Sequence, residues 1–517
     1  MLTYGSNKYV SLVLFSLLSW AVCAKDFPKV ILAGDYPDPT ILRDGKDYYM
    51  THSPFYYAPG FLIWHSQDLE HWEPVCRAMA QWEGSAMAPD LVKYNNRYYI
   101  YYPAAGTNWV IWADDIRGPW SAPKDLKVSG IDPGHVADAD GKRYLYLSEG
   151  KVVQLSDDGL STVGEVRKVY DGWPYPRNWR TEGMYLESPK LNYHNGYYYL
   201  TSAEGGTAGP GTSHMVVTAR SKSVLGPWEN SPFNPLVHTY SERESWWSKG
   251  HGTLIDDVNG NWWVVYHAYA KGYHTLGRQT LIEPIEWTPD GWCRAKSTGT
   301  FPKAEVPIRH GLELSDDFQG TELGLQWTFW KEYAPKAVTL ENRTLRLKAK
   351  GKTPADGRLL LATAEDKNYE TQVEVTVGKN NTAGLLLYYS EKAYAGLVSD
   401  GKTFTVYRHA GQKTELPNTL GRQFTVRIKN QGNHVSISVG KDGKEWTTLA
   451  EGIDVSGMHH NAYKGFYALR IGLVSIGKGE AAFRRFRYKN AVPQEKDLSA
   501  YLMVFHKDET HGLYMAL

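Results

Sequence analysis

The sequence predicts an all-β chain, a five-bladed β-propeller followed by a β-sandwich (jelly roll), on three observations. Segments of one hairpin-like design recur five times in roughly the first 300 residues. Long stretches with an apolar period near 3.6 are absent. Beyond about residue 305 the text changes to strands of two-residue alternation separated by regular turns.

The five segments are "DPTILRDGKDYYM", "APDLVKYNNRYYI", "DPGHVADADGKRYLYL", "SPKLNYHNGYYYL" and "HGTLIDDVNGNWWVV". Each starts at a Pro or Gly, runs through a short apolar strand, turns at Asn, Asp or Gly, and leaves in an aromatic, β-branched strand. They follow one another at roughly 45–65 residues, at or above the period of four-stranded propeller blades. A second element, "SQDLEHW", "ADDIRGPW" and "SKSVLGPW", ends at Trp72, Trp120 and Trp228 and is expected to turn into an outer strand, its Trp packed between blades. In a propeller the inner strands start around one channel. The residues at those starts, Asp38, Ala88, Asp132, Glu187 with Ser188, and His251, should therefore converge although they lie far apart in sequence. Taken singly, an acid before Pro is a turn initiator. Three converging acids are a different matter, because clustered like charges cost stability unless they have a task.

At 517 residues the chain exceeds one ordinary core. The boundaries expected are a signal peptide over 1–24, the propeller over 25–305, the sandwich over 306–490, and a tail over 491–517 that begins a fresh strand–turn–strand pattern, as if opening a further, truncated β-domain. The first residues carry Lys8, the apolar run "YVSLVLFSLLSWAV" and Ala24 before "KDF", the layout of an export signal. Val22 ahead of Cys23 favours simple cleavage over lipidation, so a periplasmic or secreted protein is expected. Cys76 and Cys293 then remain, bridged or free. Lys plus Arg number 57 against 56 Asp plus Glu, for a formal charge of +1, so no global field favours nucleic acid or an anionic membrane. With 36 Tyr and 19 Trp, the composition suits β-rich cores and sugar rings, and a glycan is the expected partner.

From about residue 28 to 300 these motifs resemble glycoside hydrolase family 43, five-bladed propeller enzymes that cleave arabinose- and xylose-containing glycans by inversion. The resemblance is carried by "YPDPTI" with Asp38, "IDPGHVADADGKRYLY" with Asp132, "LESPKLNYHNGYYYL" with Glu187 and "LGRQTLIEPIEW" with Arg278. It implies that Asp38 is the general base, Glu187 the general acid, and Asp132 the acidic residue that orients the acid and tunes its pKa. Glu182, in "RTEG", competes for the acid role; Glu187 is preferred because its tail leads straight into the hairpin strand. Gln279 departs from the Glu that often follows the Arg in exo-acting relatives. The later strands resemble the concanavalin-like module that follows the propeller in many family members, with structural support as its first expected role.

The chemistry can be stated without the family. Inversion needs one carboxylic acid to protonate the departing oxygen and one carboxylate to activate water on the opposite face, about 6.5–9.5 Å away. Asp38, flanked by Pro37 and Pro39, is expected to stay ionised, and the charge of Asp132 to keep Glu187 protonated near neutrality. Arg278 would hydrogen-bond sugar hydroxyls or fix a carboxylate; its structural alternative is a blade–blade salt bridge. His251 is the candidate metal residue, for a structural calcium on the axis of the kind similar enzymes hold largely through water; its alternative is a channel-lining His bonded to a carboxylate or sugar. No cofactor is required, since no HExxH or tight ligand cluster occurs. Tyr36, Phe55, Trp109, Trp246 and Trp247 are candidates for sugar stacking, and the loops "SAEGGTAGPGTSH" and "HTYSERESWWSKGHG" for pocket walls that favour cutting at chain ends. The expected function is an exported, inverting exo-glycosidase releasing terminal α-L-arabinofuranosyl or β-D-xylosyl units from plant cell-wall glycans. An endo-arabinanase of the same fold and a catalytically inactive glycan-binding propeller are the alternatives.

Overall fold

The structure, a computed structural model, describes residues 27–80, 83–491, 505–508 and 512–515. The predicted export signal and much of the tail lie outside the described residues. Within the tail, Phe505–Asp508 pairs antiparallel with Gly512–Met515.

Five sheets follow in sequence order, three of four strands and two of five, the extra strand of the last being Cys293–Ala295. Blade 1 is built from Thr40–Asp44, Asp47–Thr51, Gly60–Ser66 and Glu73–Met79, and blade 2 from Asp90–Tyr94, Arg97–Ala104, Thr107–Ala113 and Lys124–Asp125. Blade 3 comprises Gly134–Ala137, Arg143–Leu147, Lys151–Leu155 and Thr162–Lys168. Blade 4 comprises Leu186–His194, Tyr197–Glu204, Met215–Ser221 and Glu229–Asn230, with Val237–His238 added beside its third strand. Blade 5 takes Trp246–Asp256, Trp262–Ala270 and Arg278–Trp287 from its own stretch and its outer strand, Lys29–Leu32, from the start of the described chain. That borrowed strand closes the ring and leaves no open blade edge between first and last blades.

All five predicted hairpins form, for local reasons. Tyr94 pairs with Arg97 and His194 with Tyr197 across two-residue loops whose Asn95, Asn96, Asn195 and Gly196 all have positive φ, the backbone twist that such turns demand. Trp72 is fully buried among Ile41 and Tyr48 of blade 1 and Trp263 and Ile282 of blade 5. Trp120 packs against the cluster between blades 1 and 2, and Trp228 against that between blades 3 and 4, where its Nε1 donates to Tyr146 Oη. Cys76 is half-buried, Cys293 buried, and both are free thiols.

Each blade opens with the same bend. Asp38, Ala88, Asp132, Ser188 and His251 have φ of 55°, 37°, 56°, 55° and 54°. A left-handed non-glycine residue costs roughly 1–2 kcal/mol, so five at one structural position mark a feature of the repeat. The bend identifies Ser188, not Glu187, as the fourth blade's counterpart of Asp38; Glu187 sits one residue before it.

The sandwich follows from residue 315. An eight-stranded sheet including Asn381–Ser390 and Arg470–Gly477 faces a seven-stranded one including Asn368–Thr376 and Glu480–Asn490, and the alternating Leu385, Leu387, Leu473, Val373, Val375 and Phe483 fill the space between them. The edge of the larger sheet is completed by Tyr57–Ala58 of the propeller, paired with Phe329 and Trp330. The two domains therefore share a sheet.

Candidate active site

At the channel mouth the Asp38 carboxylate is buried and clamped. Arg278 donates from Nη1 to Oδ1 at 2.8 Å and from Nη2 to Oδ2 at 3.4 Å, and Ser53 Oγ donates to Oδ2 at 2.5 Å. The Asp38 amide donates to His267 Nδ1 at 3.0 Å, which leaves the proton of that ring on Nε2, 3.2 Å from Thr207 Oγ1. His251 Nδ1 lies 3.4 Å from Asp38 Oδ1 and 4.0 Å from Asp132 Oδ2. Asp132 Oδ2 in turn accepts the Ser188 amide at 3.0 Å. The openings of blades 1, 3, 4 and 5 thus meet on the axis.

The three acids do not titrate alike. Burial alone would raise the pKa of Asp38, but the Arg278 guanidinium overturns that and holds the carboxyl well below the usual range. Burial and then the Asp38 charge push Asp132 up. Burial, followed by the charges of Asp132, Asp38 and Glu182, pushes Glu187 up, against the pull of Arg278. Asp132 and Glu187 share their protons as one system. One carboxyl is thus held low and the other two are raised, the asymmetry acid–base catalysis requires. His251 is driven well below its ordinary value by burial, and His267 to about 4, so both rings are neutral.

Arg278 fixes a carboxylate, the second of the roles expected for it, and in doing so bridges blades 5 and 1. Its guanidinium lies 5.7 Å from the ring centre of Phe55 and 5.0 Å from that of Phe466, a sandwich residue. Glu182 is exposed on the rim, where Oε2 accepts the Ala208 amide at 2.8 Å. Trp247 lines the wall: a Cβ on Gly211 would fall 2.5 Å from its ring. Three of the expected stacking residues lie elsewhere. Tyr36 is in the core between blades 1 and 5, its ring against Trp64 and His52. Trp109 packs into the cluster between blades 1 and 2, and Trp246 into that between blades 4 and 5. Their large apolar area was needed for packing.

Several residues at the site gave no signal in sequence. Ser53 follows a hairpin strand and His267 lies within one, and the pattern of both strands is that of any blade. Below the openings, Lys190 Nζ lies 2.9 Å from Asp90 Oδ1 and from Pro89 O and 3.1 Å from Pro133 O, pinning blades 2, 3 and 4 together around the axis. The sandwich also reaches in. Asn461, in the one-turn helix His460–Tyr463, exchanges two hydrogen bonds of 3.3 Å with Gly209 in the acid-side wall, and Phe466 stacks on His460 at 3.9 Å before meeting Arg278. Beside the structural support placed first for this module stand its contacts to Gly209 and Arg278.

Among the described residues, Asp38, His251 and His267 bring ligand atoms within 4.8 Å of one another. As a set they fit a cation poorly. His267 uses both ring nitrogens and Asp38 already neutralises Arg278, so only His251 Nε2, buried and without a protein partner, is left to donate.

Residues 27–293 match the family model "Glycosyl hydrolases family 43", and residues 315–489 match "Beta xylosidase C-terminal Concanavalin A-like domain". A non-reducing end α-L-arabinofuranosidase of Bacteroides ovatus is 29% identical over 89% of this chain and 93% of its own. A xylan 1,3-β-xylosidase of a Vibrio species is 30% identical over 89% and 98%. Among solved structures, a xylan β-1,4-xylosidase from Bacillus halodurans superposes with a TM-score of 0.80 at 27% identity, covering 90% of this chain and all of that one.

Proposed function

The chain belongs to glycosyl hydrolase family 43 and is a glycoside hydrolase, and from that premise we propose that it is an exported, inverting exo-enzyme releasing terminal α-L-arabinofuranosyl or β-D-xylosyl units from plant cell-wall glycans. The observation that carries the chemistry is the split between Asp38, held ionised by Arg278, and Glu187, held protonated beside Asp132. In the proposed reaction Glu187 gives its proton to the glycosidic oxygen as the bond from that oxygen to the anomeric carbon breaks. Asp38 takes a proton from a water whose oxygen bonds to the same carbon from the opposite face. The products are an alcohol and a sugar of inverted configuration, and proton exchange with solvent resets both carboxyls. The exo reading rests on the 205–214 loop, which touches Trp247 at Gly211 and the sandwich turn at Gly209. The two curated relatives, an arabinofuranosidase and a β-xylosidase, bracket the sugar. Export rests on residues 1–24 alone.

The test is a screen with p-nitrophenyl α-L-arabinofuranoside and β-D-xyloside, with proton NMR of the first sugar released. We expect β-arabinose or α-xylose at early times. Retained configuration would overturn the inverting assignment, oligomers from linear arabinan would favour endo action, and failure on every glycan tried would favour a binding protein. For an axial calcium we propose His251 Nε2 as its single protein ligand, with water supplying the rest and a purely structural role. Dialysis against EDTA should then lower the melting temperature while leaving kcat within about twofold, and a kcat that collapsed and returned with calcium would contradict that role.

A further inference from the structure

The sequence places two acids in "GDYPDP", and hydrolysis uses only Asp38. Asp35, three residues earlier, is buried at the seam between the domains. Its Oδ2 accepts a hydrogen bond at 3.2 Å from Nη2 of Arg470, which opens the sandwich strand Arg470–Gly477; the two side chains are 2% and 7% exposed. The Arg470 guanidinium also lies over the ring of Tyr57, 3.4 Å from its centre, on the segment that completes the sandwich sheet.

The other face of the Asp35 carboxylate abuts the start of the Arg278 strand. A Cβ on Gly277 would fall 2.2 Å from Asp35 Oδ1, and with φ at 76° Gly277 occupies a conformation that also favours glycine. The next residue, Tyr36, donates its amide to the carbonyl of Arg278 at 3.0 Å, and Arg278 grips Asp38. A continuous line of contacts therefore runs from the sandwich to the carboxylate that activates water: Arg470, Asp35, the backbone at 277–278, the Arg278 guanidinium, Asp38. Beside it lies a cavity of about 40 Å³ lined by Asp35, Tyr36, His52, Tyr57 and Arg470 among others. It has room for about two waters next to an ion pair that is otherwise enclosed.

We propose that Arg470 and Asp35 are positioning residues for the catalytic base, the sandwich using their ion pair to set the Arg278 backbone and so the grip of Arg278 on Asp38. An ion pair for domain attachment alone would not need to abut the strand end that carries Arg278. Attachment is already provided by the shared sheet edge and by the Leu469 amide donating to the Thr275 carbonyl at 2.8 Å. Removing Arg470 leaves Asp35 as a buried, unpaired carboxylate that takes up a proton or moves, and Gly277 offers no side chain to hold the strand end in its place.

This rests on the proposed role of Asp38, so the experiment carries both. In the full chain, kcat and KM on the p-nitrophenyl substrate are measured for wild type, Asp38→Asn, Arg470→Gln, Asp35→Asn, the Arg470→Gln/Asp35→Asn pair and Arg470→Lys. We expect each single neutral variant at the seam to lose at least tenfold in kcat with KM within about twofold. The pair should fall no further than the worse single variant, because both act through one contact, and Arg470→Lys should recover to within about threefold of wild type. The pair leaves no lone buried charge and keeps the test open should a single variant fail to fold. Wild-type kcat in a folded seam variant, losses that multiply in the pair, or a change confined to KM would each overturn the relay. Full activity in Asp38→Asn would instead overturn the base assignment beneath it.

Discussion

Asp38→Asn is expected to cut turnover of an aryl xyloside or arabinofuranoside by about 10²–10⁴-fold, the range for loss of a positioned general base, with the chain still folded. The amide keeps the shape of the carboxylate, its oxygen accepting from Arg278 Nη1 and its NH2 turned to donate to Ser53 Oγ, but it cannot take a proton from water. Folding survives for an electrostatic reason. The Asp38 charge is among the causes that raise Asp132 and Glu187, so its removal lets that pair ionise more readily and supply the negative charge that Arg278 loses. The measurements are kcat on the p-nitrophenyl substrate together with near-ultraviolet circular dichroism and a thermal melt. A folded variant with full activity would take Asp38 out of the reaction, and with it the meaning of the Arg278 clamp.

The parts of this fold that were legible are those whose cause is local. Asn95–Asn96 and Asn195–Gly196 specify their turns by themselves, and Trp72, Trp120 and Trp228 declare an inter-blade position by recurring after the same short string. Ring closure was not legible, because Lys29–Leu32 finds its partner some 250 residues away and nothing in "KVIL" names Thr280 or Ile282. The same limit applied at the site. Asp38, Asp132 and His251 were visible because each stands at a repeated opening, whereas Ser53, just past one strand, and His267, inside another, occupy places that no repeat singles out. Phe466 and Arg470 come from a different domain and meet Arg278 and Asp35 only through the docking of two sheets. Tyr36, Trp109 and Trp246 were misplaced because proximity to an opening says nothing about which side of the strand a side chain takes, and in a propeller the alternative side is a hydrophobic seam.

Glu187→Gln should produce a loss that depends on what leaves. A glycosidic bond to another sugar releases a poor leaving group that must be protonated as it departs, and there the variant should fall by about 10²–10⁴-fold. A 2,4-dinitrophenyl glycoside departs as a stable anion and should lose far less, because Asp38 and its water are untouched. The pH profile gives an independent reading of the same role. Burial first, then Asp132, raise the Glu187 pKa, so the acid form persists to neutral pH and is lost as pH climbs. Asp38 is displaced the other way and stays ionised far into acid. Wild-type kcat/KM on a sugar leaving group should therefore hold well above the usual carboxyl range and decline on the alkaline side, while the dinitrophenyl substrate shows little decline there in either protein. Glu182→Gln is the necessary comparison, since that residue stands on the rim five positions earlier and contributes to the field on Glu187. If Glu182→Gln, and not Glu187→Gln, separated good from poor leaving groups, the proton donor would sit on the loop rather than on the strand, because only the group that hands over the proton makes the rate depend on what departs.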